Sequence, residues 1–194
     1  MTEQPEQRRD DPRPTLFLDV DGVLNCYLTA GEPVVVTLPW LPADARRRQQ
    51  RMEQQGAEDP SEFDEMTRER DANVPLGTRD RLQKILPFFE PVWATFWFSD
   101  AHPVLSAHLG LPEEPWPYLA FLGHWKLPAI IAYAAGRPWA WVDDDATFER
   151  CRNPEIVIPS NALIVEPRSS IGLTDEHVIE LMAFAAAISG ADPA

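Results

Sequence analysis

The chain has 194 residues, 44% hydrophobic and 25% charged, enough to bury a core as one domain without disulfide or metal staples. A net charge of −14, from 17 basic and 31 acidic residues, argues against a broad electrostatic grip on nucleic acid but leaves room for a local basic pocket. Cys26 and Cys151 are the only cysteines and form no Cys-x-x-Cys pair, which argues against structural zinc and a disulfide framework.

Residues 1–13 are polar, charged and proline-bearing, and read as a disordered tail before a domain spanning 14–190. They lack the apolar core of a signal peptide, and no apolar run approaches the roughly 18–20 residues that span a bilayer. The expectation is a soluble cytoplasmic protein without a membrane partner.

Thr15 to Val20 reads as a buried strand running into Asp19-Val20-Asp21-Gly22-Val23-Leu24-Asn25. Residues two apart in a strand point to the same side, so Asp19 and Asp21 can address one point past the strand's carboxyl end. Two carboxylates aimed at one place repel each other unless a cation or a proton lies between them. The pair therefore reads as a metal or acid–base site. Asp-Gly is also a hairpin signal, and on this segment alone that reading stands beside the first.

Cys26–Ala30 and Val34–Leu38 flank Gly31-Glu32-Pro33 and read as a small hairpin. Residues 40–73 then change character: fifteen of these 34 residues are charged, which predicts a lightly packed helical insertion. Asp44–Gln55 can form one helix, and Asp59-Pro60-Ser61-Glu62 can start a second, with Phe63 and Met66 as its thin apolar stripe. Arg46, Arg47, Arg48 and Arg51 could form a basic face toward a phosphorylated substrate, but read first as a solvated helix face balanced by neighbouring Glu and Asp.

Gly77–Phe89 carries Leu82, Ile85, Leu86 and Phe89 at helical spacing, and Pro91 opens a second buried strand through Trp97. Pro103–Leu109 predicts a helix, Tyr118–Leu122 a short strand, and Lys126–Ala135 another helix. Trp139–Val142 is an apolar strand running into Asp143-Asp144-Asp145, and Ala162–Val165 is a further strand. Thr174 caps a closing helix. Strands alternating with helices imply an α/β fold, a three-layer Rossmann-like parallel sheet with the 40–73 insertion after the first strand and hairpin.

Ligands of such sheets bind outside the carboxyl ends of the strands. Asp19 and Asp21 lie at the end of the first strand, Thr95 within or near the end of the second, and Asp143 and Asp144 follow the Trp139–Val142 strand. Lys126 starts a helix between them. A carboxylate cluster suits a hard cation such as magnesium, and a hydroxyl with an ammonium suits an anion. Asp143 to Asp145 also have a plainer reading as caps of the helix beginning near Ala146.

These motifs resemble those of the haloacid dehalogenase superfamily of phosphohydrolases. Asp19-Val20-Asp21-Gly22-Val23-Leu24-Asn25 is similar to its first motif, Thr95 to its second, Lys126 to its third and the acidic run from Asp143 to its fourth. Trp93-Ala94-Thr95-Phe96-Trp97, Leu109-Gly110-Leu111-Pro112, Trp125-Lys126, Trp141-Val142-Asp143-Asp144 and Gly172-Leu173-Thr174 look like a small bacterial and phage branch. That branch includes the domain of this type associated with RNA-repair proteins. It often shows Thr-Ser-Trp where this chain has Thr95-Phe96-Trp97.

The resemblance implies a phosphate-monoester hydrolase in which Asp19 is the nucleophile and Asp21 the general acid and base. Magnesium would be held by Asp19, by the backbone carbonyl of Asp21 and by Asp143, with Asp144 nearby. Thr95 and Lys126 would bind the substrate phosphate, and 40–73 would be a minimal cap. An open site of this kind suits a large substrate such as a nucleic-acid end or a phosphoprotein, or a small molecule such as a nucleotide held in a multi-subunit assembly, and the acidic balance weighs against the nucleic-acid end. The other reading is a phosphate- or partner-binding regulatory module with little or no turnover.

His102, His108, His124 and His177 lack zinc-ligand spacing and read as surface or core residues. Trp93, Trp97, Trp139 and Trp141 read as core, and Trp40 and Trp116 as residues that could line the entrance.

Overall fold

A computed structural model describes residues 13–26, 31–36, 70–121 and 125–190. It divides into two compact units, Pro33–Ala72 and the remainder of the chain. In the larger unit, β1 (Thr15–Leu18), β4 (Glu90–Trp93), β5 (Trp139–Val142) and β6 (Ala162–Val165) form a parallel sheet in the order β4-β1-β5-β6. Separately, β2 (Gly31–Val36) pairs with β3 (Arg70–Pro75) in a two-stranded sheet. Among the described residues, the helices are α1 (Thr78–Ile85), α2 (Ala101–Leu109), α3 (Leu127–Ala134), α4 (Ala146–Arg152) and α5 (Asp175–Ser189).

The parallel register aligns Val92, Phe17, Trp141 and Ile164 in one row across the four strands. Side chains alternate along a strand, so this row faces one side of the sheet. There it packs with Ile130, Tyr133 and Ala134 of α3, and Phe17 meets the Tyr133 ring edge-on at 5.6 Å. The next position along β4, Trp93, serves the opposite side, where its ring meets His102 of α2 edge-on and Trp116 at a tilt. α1 packs against α2 and α5. The fold is therefore α/β, a parallel sheet flanked by helices and compatible with a Rossmann-like arrangement. Among the described residues, no helix is long and apolar enough to cross a membrane.

Several boundaries differ from the sequence expectations. β1 ends at Leu18 rather than Val20, because Leu24 and Asn25 both turn their N–H groups back onto the Val20 carbonyl. The hairpin expected around Gly31-Glu32-Pro33 is absent: those residues lie inside β2, whose partner is the distant β3. Pro33 is tolerated because both strands of a two-stranded sheet are edges. Residues 70–73, expected at the end of a helical insertion, belong to β3 instead. The rest of that insertion, with its two expected helices, the four arginines and Trp40, lies outside the described residues, as does His124.

The 77–89 helix splits into α1 and a 3-10 turn at Leu86–Phe88, where Pro87 has no N–H for the helical ladder. β4 stops at Trp93, since Thr95 Oγ1 accepts the Trp97 N–H at 3.3 Å and turns the chain. In place of a strand at 118–122, the described residues make one isolated bridge from Tyr118 to Trp93, with the preceding Pro117 unable to donate.

Candidate functional site

Strand order reverses around β1: the chain places β4 on one side of it, then crosses back to β5 on the other. Such a reversal opens a crevice beyond the carboxyl ends of the strands. Asp19 follows β1 directly and Asp143 follows β5. The ladder continues between them, with the Asp19 N–H donating to the Val142 carbonyl at 3.0 Å. Thr95 comes two residues after β4, at the same edge, and is buried.

Lys126 supplies the central cation. Its Nζ lies 2.5 Å from Asp19 Oδ2 and 2.6 Å from Asp143 Oδ2, and only 4% of the residue is exposed. The other oxygens of the two carboxylates accept backbone N–H groups, Asp19 Oδ1 from Val20 at 2.7 Å and Asp143 Oδ1 from Asp145 at 2.9 Å. Both carboxylates are thus oriented by two donors each.

Lys126 is the N-cap residue of α3, a costly place for a cation because the helix dipole is positive there. Glu149 on α4 compensates. Its Oε2 accepts the backbone N–H groups of Lys126 and Leu127, each at 2.8 Å, from a buried position. Pro128 follows and has no N–H to satisfy.

Asp19, Asp143 and Asp144 each offer an oxygen within 4.8 Å of the other two, an all-oxygen donor set that could hold a hard cation. Asp144 presses its carboxylate against Gly22, whose φ is +74°; a Cβ on that glycine would collide with the Asp144 side chain. The charges leave their mark on titration. Burial pushes Asp19 up to about 7, against the pull of Lys126 and with help from Asp143. Burial, then Asp143 and Asp145, raise Asp144 to about 6. Burial alone would lower Lys126, yet Asp19 and Asp143 hold its ammonium above the ordinary lysine range. One buried ammonium does not balance three carboxylates, so the cluster favours a further proton or cation.

Asp21 sits beside this cluster rather than in it. Its Oδ1 accepts from Asn25 Nδ2 and its Oδ2 from Trp97 Nε1, both at 2.8 Å. Asn25 in turn accepts the Asn73 N–H at 2.8 Å, and Asn73 Nδ2 donates to the Cys26 carbonyl. The Val20–Cys26 turn is buttressed from behind by Leu173, whose N–H donates to Val23 O at 3.0 Å. The adjacent Gly172, with φ +77°, leaves space where a Cβ would sit 2.5 Å from Val23 O.

The sequence-derived residues Asp19, Lys126, Asp143 and Asp144 are brought together, and Asp21 and Thr95 share their sheet edge. Sequence reasoning missed Glu149 and Asn25, and read Trp97 as core alone. One signal for Glu149 was available: α3 begins at Lys-Leu-Pro without a Ser, Thr, Asp or Asn cap, so its first N–H groups need a distant acceptor. The acidic run is not a side-chain cap, since Asp145 holds the N-cap position of α4 without a side-chain bond to it. Trp116 does not line an entrance: it is buried against Trp93, with ring centroids 4.8 Å apart. His102 is structural, linking the Pro112 carbonyl at 2.9 Å and the Trp116 N–H at 3.2 Å. Comparison with protein-family models, curated proteins and solved structures returns no match.

Proposed function

We propose that the chain is a magnesium-dependent phosphohydrolase of haloacid dehalogenase type, cleaving a phosphate monoester through an aspartyl-phosphate. The observation that carries this reading is the buried Lys126 ammonium between Asp19 and Asp143 at the carboxyl ends of two adjacent parallel strands. An Asp19 carboxylate oxygen attacks phosphorus and forms an O–P bond, while the ester P–O bond breaks. Asp21, as general acid, gives a proton to the departing alkoxide. It then takes a proton from water, whose oxygen attacks phosphorus and returns Asp19 as a carboxylate with release of inorganic phosphate. Lys126 keeps Asp19 oriented and offsets its charge against the incoming phosphate.

The all-oxygen set of Asp19, Asp143 and Asp144 fits magnesium, which when bound would neutralise phosphate oxygens and fix them against the nucleophile. Asp144, tucked against Gly22, would join that set, and the backbone carbonyl of Asp21 would be a further oxygen ligand. Thr95, buried at the same edge, would serve as the hydroxyl donor to phosphate.

Hydrolysis of an aryl phosphate with magnesium, and its loss with a chelator, tests the reading. Asp19→Asn is expected to lower kcat on the order of 10³-fold or more, because it removes the attacking group. Undiminished activity in that variant would remove Asp19 as nucleophile. Phosphate-analogue binding without turnover on any ester would favour the regulatory module instead.

A further inference from the structure

We propose that an aromatic subsite built from Phe96, Phe98 and Phe121 receives a planar ring carried by the leaving group of the phosphate ester. The proposal rests on the phosphohydrolase reading for its substrate and on independent geometry for its location. Phe96 lies over Lys126, whose Nζ is 5.5 Å from the ring centroid, and the same Nζ is 2.5 Å from Asp19 Oδ2. The Phe96 ring centroid is therefore within 8 Å of Asp19 Oδ2. It is nonetheless 45% exposed, an unusual placement for a large apolar side chain beside a buried ion pair.

The three rings form one cluster. Phe96 meets Phe121 edge-on with centroids 5.1 Å apart, and Phe98 tilts onto Phe121 at 5.2 Å. Phe98 also meets Tyr118 edge-on at 6.4 Å. These separations are those of favourable aromatic pairs, so the rings hold one another in place and present a preformed surface.

Backbone geometry adds a second, independent observation. Phe98 has φ +48°, one of two positive-φ residues other than glycine among those described. A bulky residue adopts that conformation at a cost, and glycine would make the Thr95–Phe98 turn without it. The turn is already closed by the Phe98 N–H to the Thr95 carbonyl at 3.2 Å, so its geometry does not call for a ring at 98. What the phenylalanine adds is a ring aimed at Phe121, two residues from the exposed Phe96. Strain held in this way is typical of functional surfaces. The phosphate end of a substrate would lie against Lys126 and Thr95, and its ring against Phe96. Aromatic faces accept any planar π-system, so the class is a phosphate ester bearing a planar ring, of nucleoside or aryl origin.

Two matched pairs test this: AMP against ribose 5-phosphate, and benzyl phosphate against cyclohexylmethyl phosphate. Each pair keeps the phosphate ester; the first removes the planar ring and the second saturates it. In kcat/KM and in equilibrium binding, the planar member is expected to lead by about 10-fold, the scale of one stacking contact. Phe96→Leu and Phe121→Leu should each bring that ratio most of the way to unity. Circular dichroism and thermal melting check that both variants fold. A preference in only one pair keeps the subsite and identifies the ring's source. No preference in either pair overturns the subsite, as does a preference that both variants retain. If no ester is hydrolysed but the binding preference persists and depends on Phe96, the phosphohydrolase reading falls and the subsite stands.

Discussion

Asp21 shows how a single side chain's partners set what it can do. Both of its oxygens are engaged, by Asn25 and by the indole N–H of the buried Trp97, so the carboxyl is fixed in direction. A proton carrier must sit within hydrogen-bond reach of the leaving oxygen, and a freely rotating carboxyl spends little time there. Trp97→Phe keeps most of the packing and deletes the donor. It is expected to lower kcat about 10-fold, a part of what a positioned general acid contributes. KM should change little, because Lys126 and Thr95 are untouched. Equal kinetics in variant and wild type would show that Asn25 alone positions Asp21. The role of Trp97 was hidden in the sequence because an indole in an apolar run looks like core, and it is core: its ring is buried while its one polar atom faces the site.

The helix start at Lys126 shows the same logic across elements. α3 is placed by its apolar face on Phe17, Trp139 and Trp141, but its first N–H groups are satisfied only by Glu149 on α4. Glu149→Ala leaves two buried donors unpaired and an ammonium at the positive end of a dipole. The expected loss is about 2–3 kcal/mol, hence a Tm lower by about 5–10 °C, with activity falling as Lys126 loosens. Glu149→Gln keeps an acceptor oxygen and should recover most of the stability; failure to do so would assign the effect to charge. Local pattern made β5, β6, α2 and α5 legible, since their periodicity, glycine stops and the Thr174 cap lie in contiguous sequence. The Asp19, Lys126 and Asp143 constellation was legible for a related reason: each residue sits next to a recognisable element end. The β2–β3 pairing was not, because Gly31-Glu32-Pro33 has turn chemistry and its partner strand comes more than thirty residues later. Glu149 escaped because its partners are backbone N–H groups more than twenty residues away. The aromatic cluster escaped because Phe96 and Phe98 become neighbours of Phe121 only after β4 stops early.

For the whole molecule, charge joins the site to stability. Asp19 is raised to about 7 and Asp144 to about 6, both from 3.8, so between those limits the folded chain holds protons that the unfolded chain has released. Stability carried by such groups is complete below the ordinary carboxylate range and is lost as pH rises through 6 to 7. The Tm of the metal-free protein should therefore fall by on the order of 10 °C between pH 5 and pH 8. The net charge of −14 acts in the same direction, since ionising carboxylates increases self-repulsion. Salt separates the two contributions. At about 0.5 M sodium chloride the Debye length is only about 4 Å, which removes most surface repulsion and leaves the buried cluster little screened. The decline that survives high salt belongs to Asp19 and Asp144. Magnesium should raise the Tm more at pH 8 than at pH 5, because it competes with protons for the same oxygens. Asp19→Asn should remove the larger part of the high-salt slope, leaving the share of Asp144, and shrink the magnesium increment with it. If that variant kept the full slope, or if magnesium stabilised equally at both pH values, the cluster would not be the origin of the pH dependence.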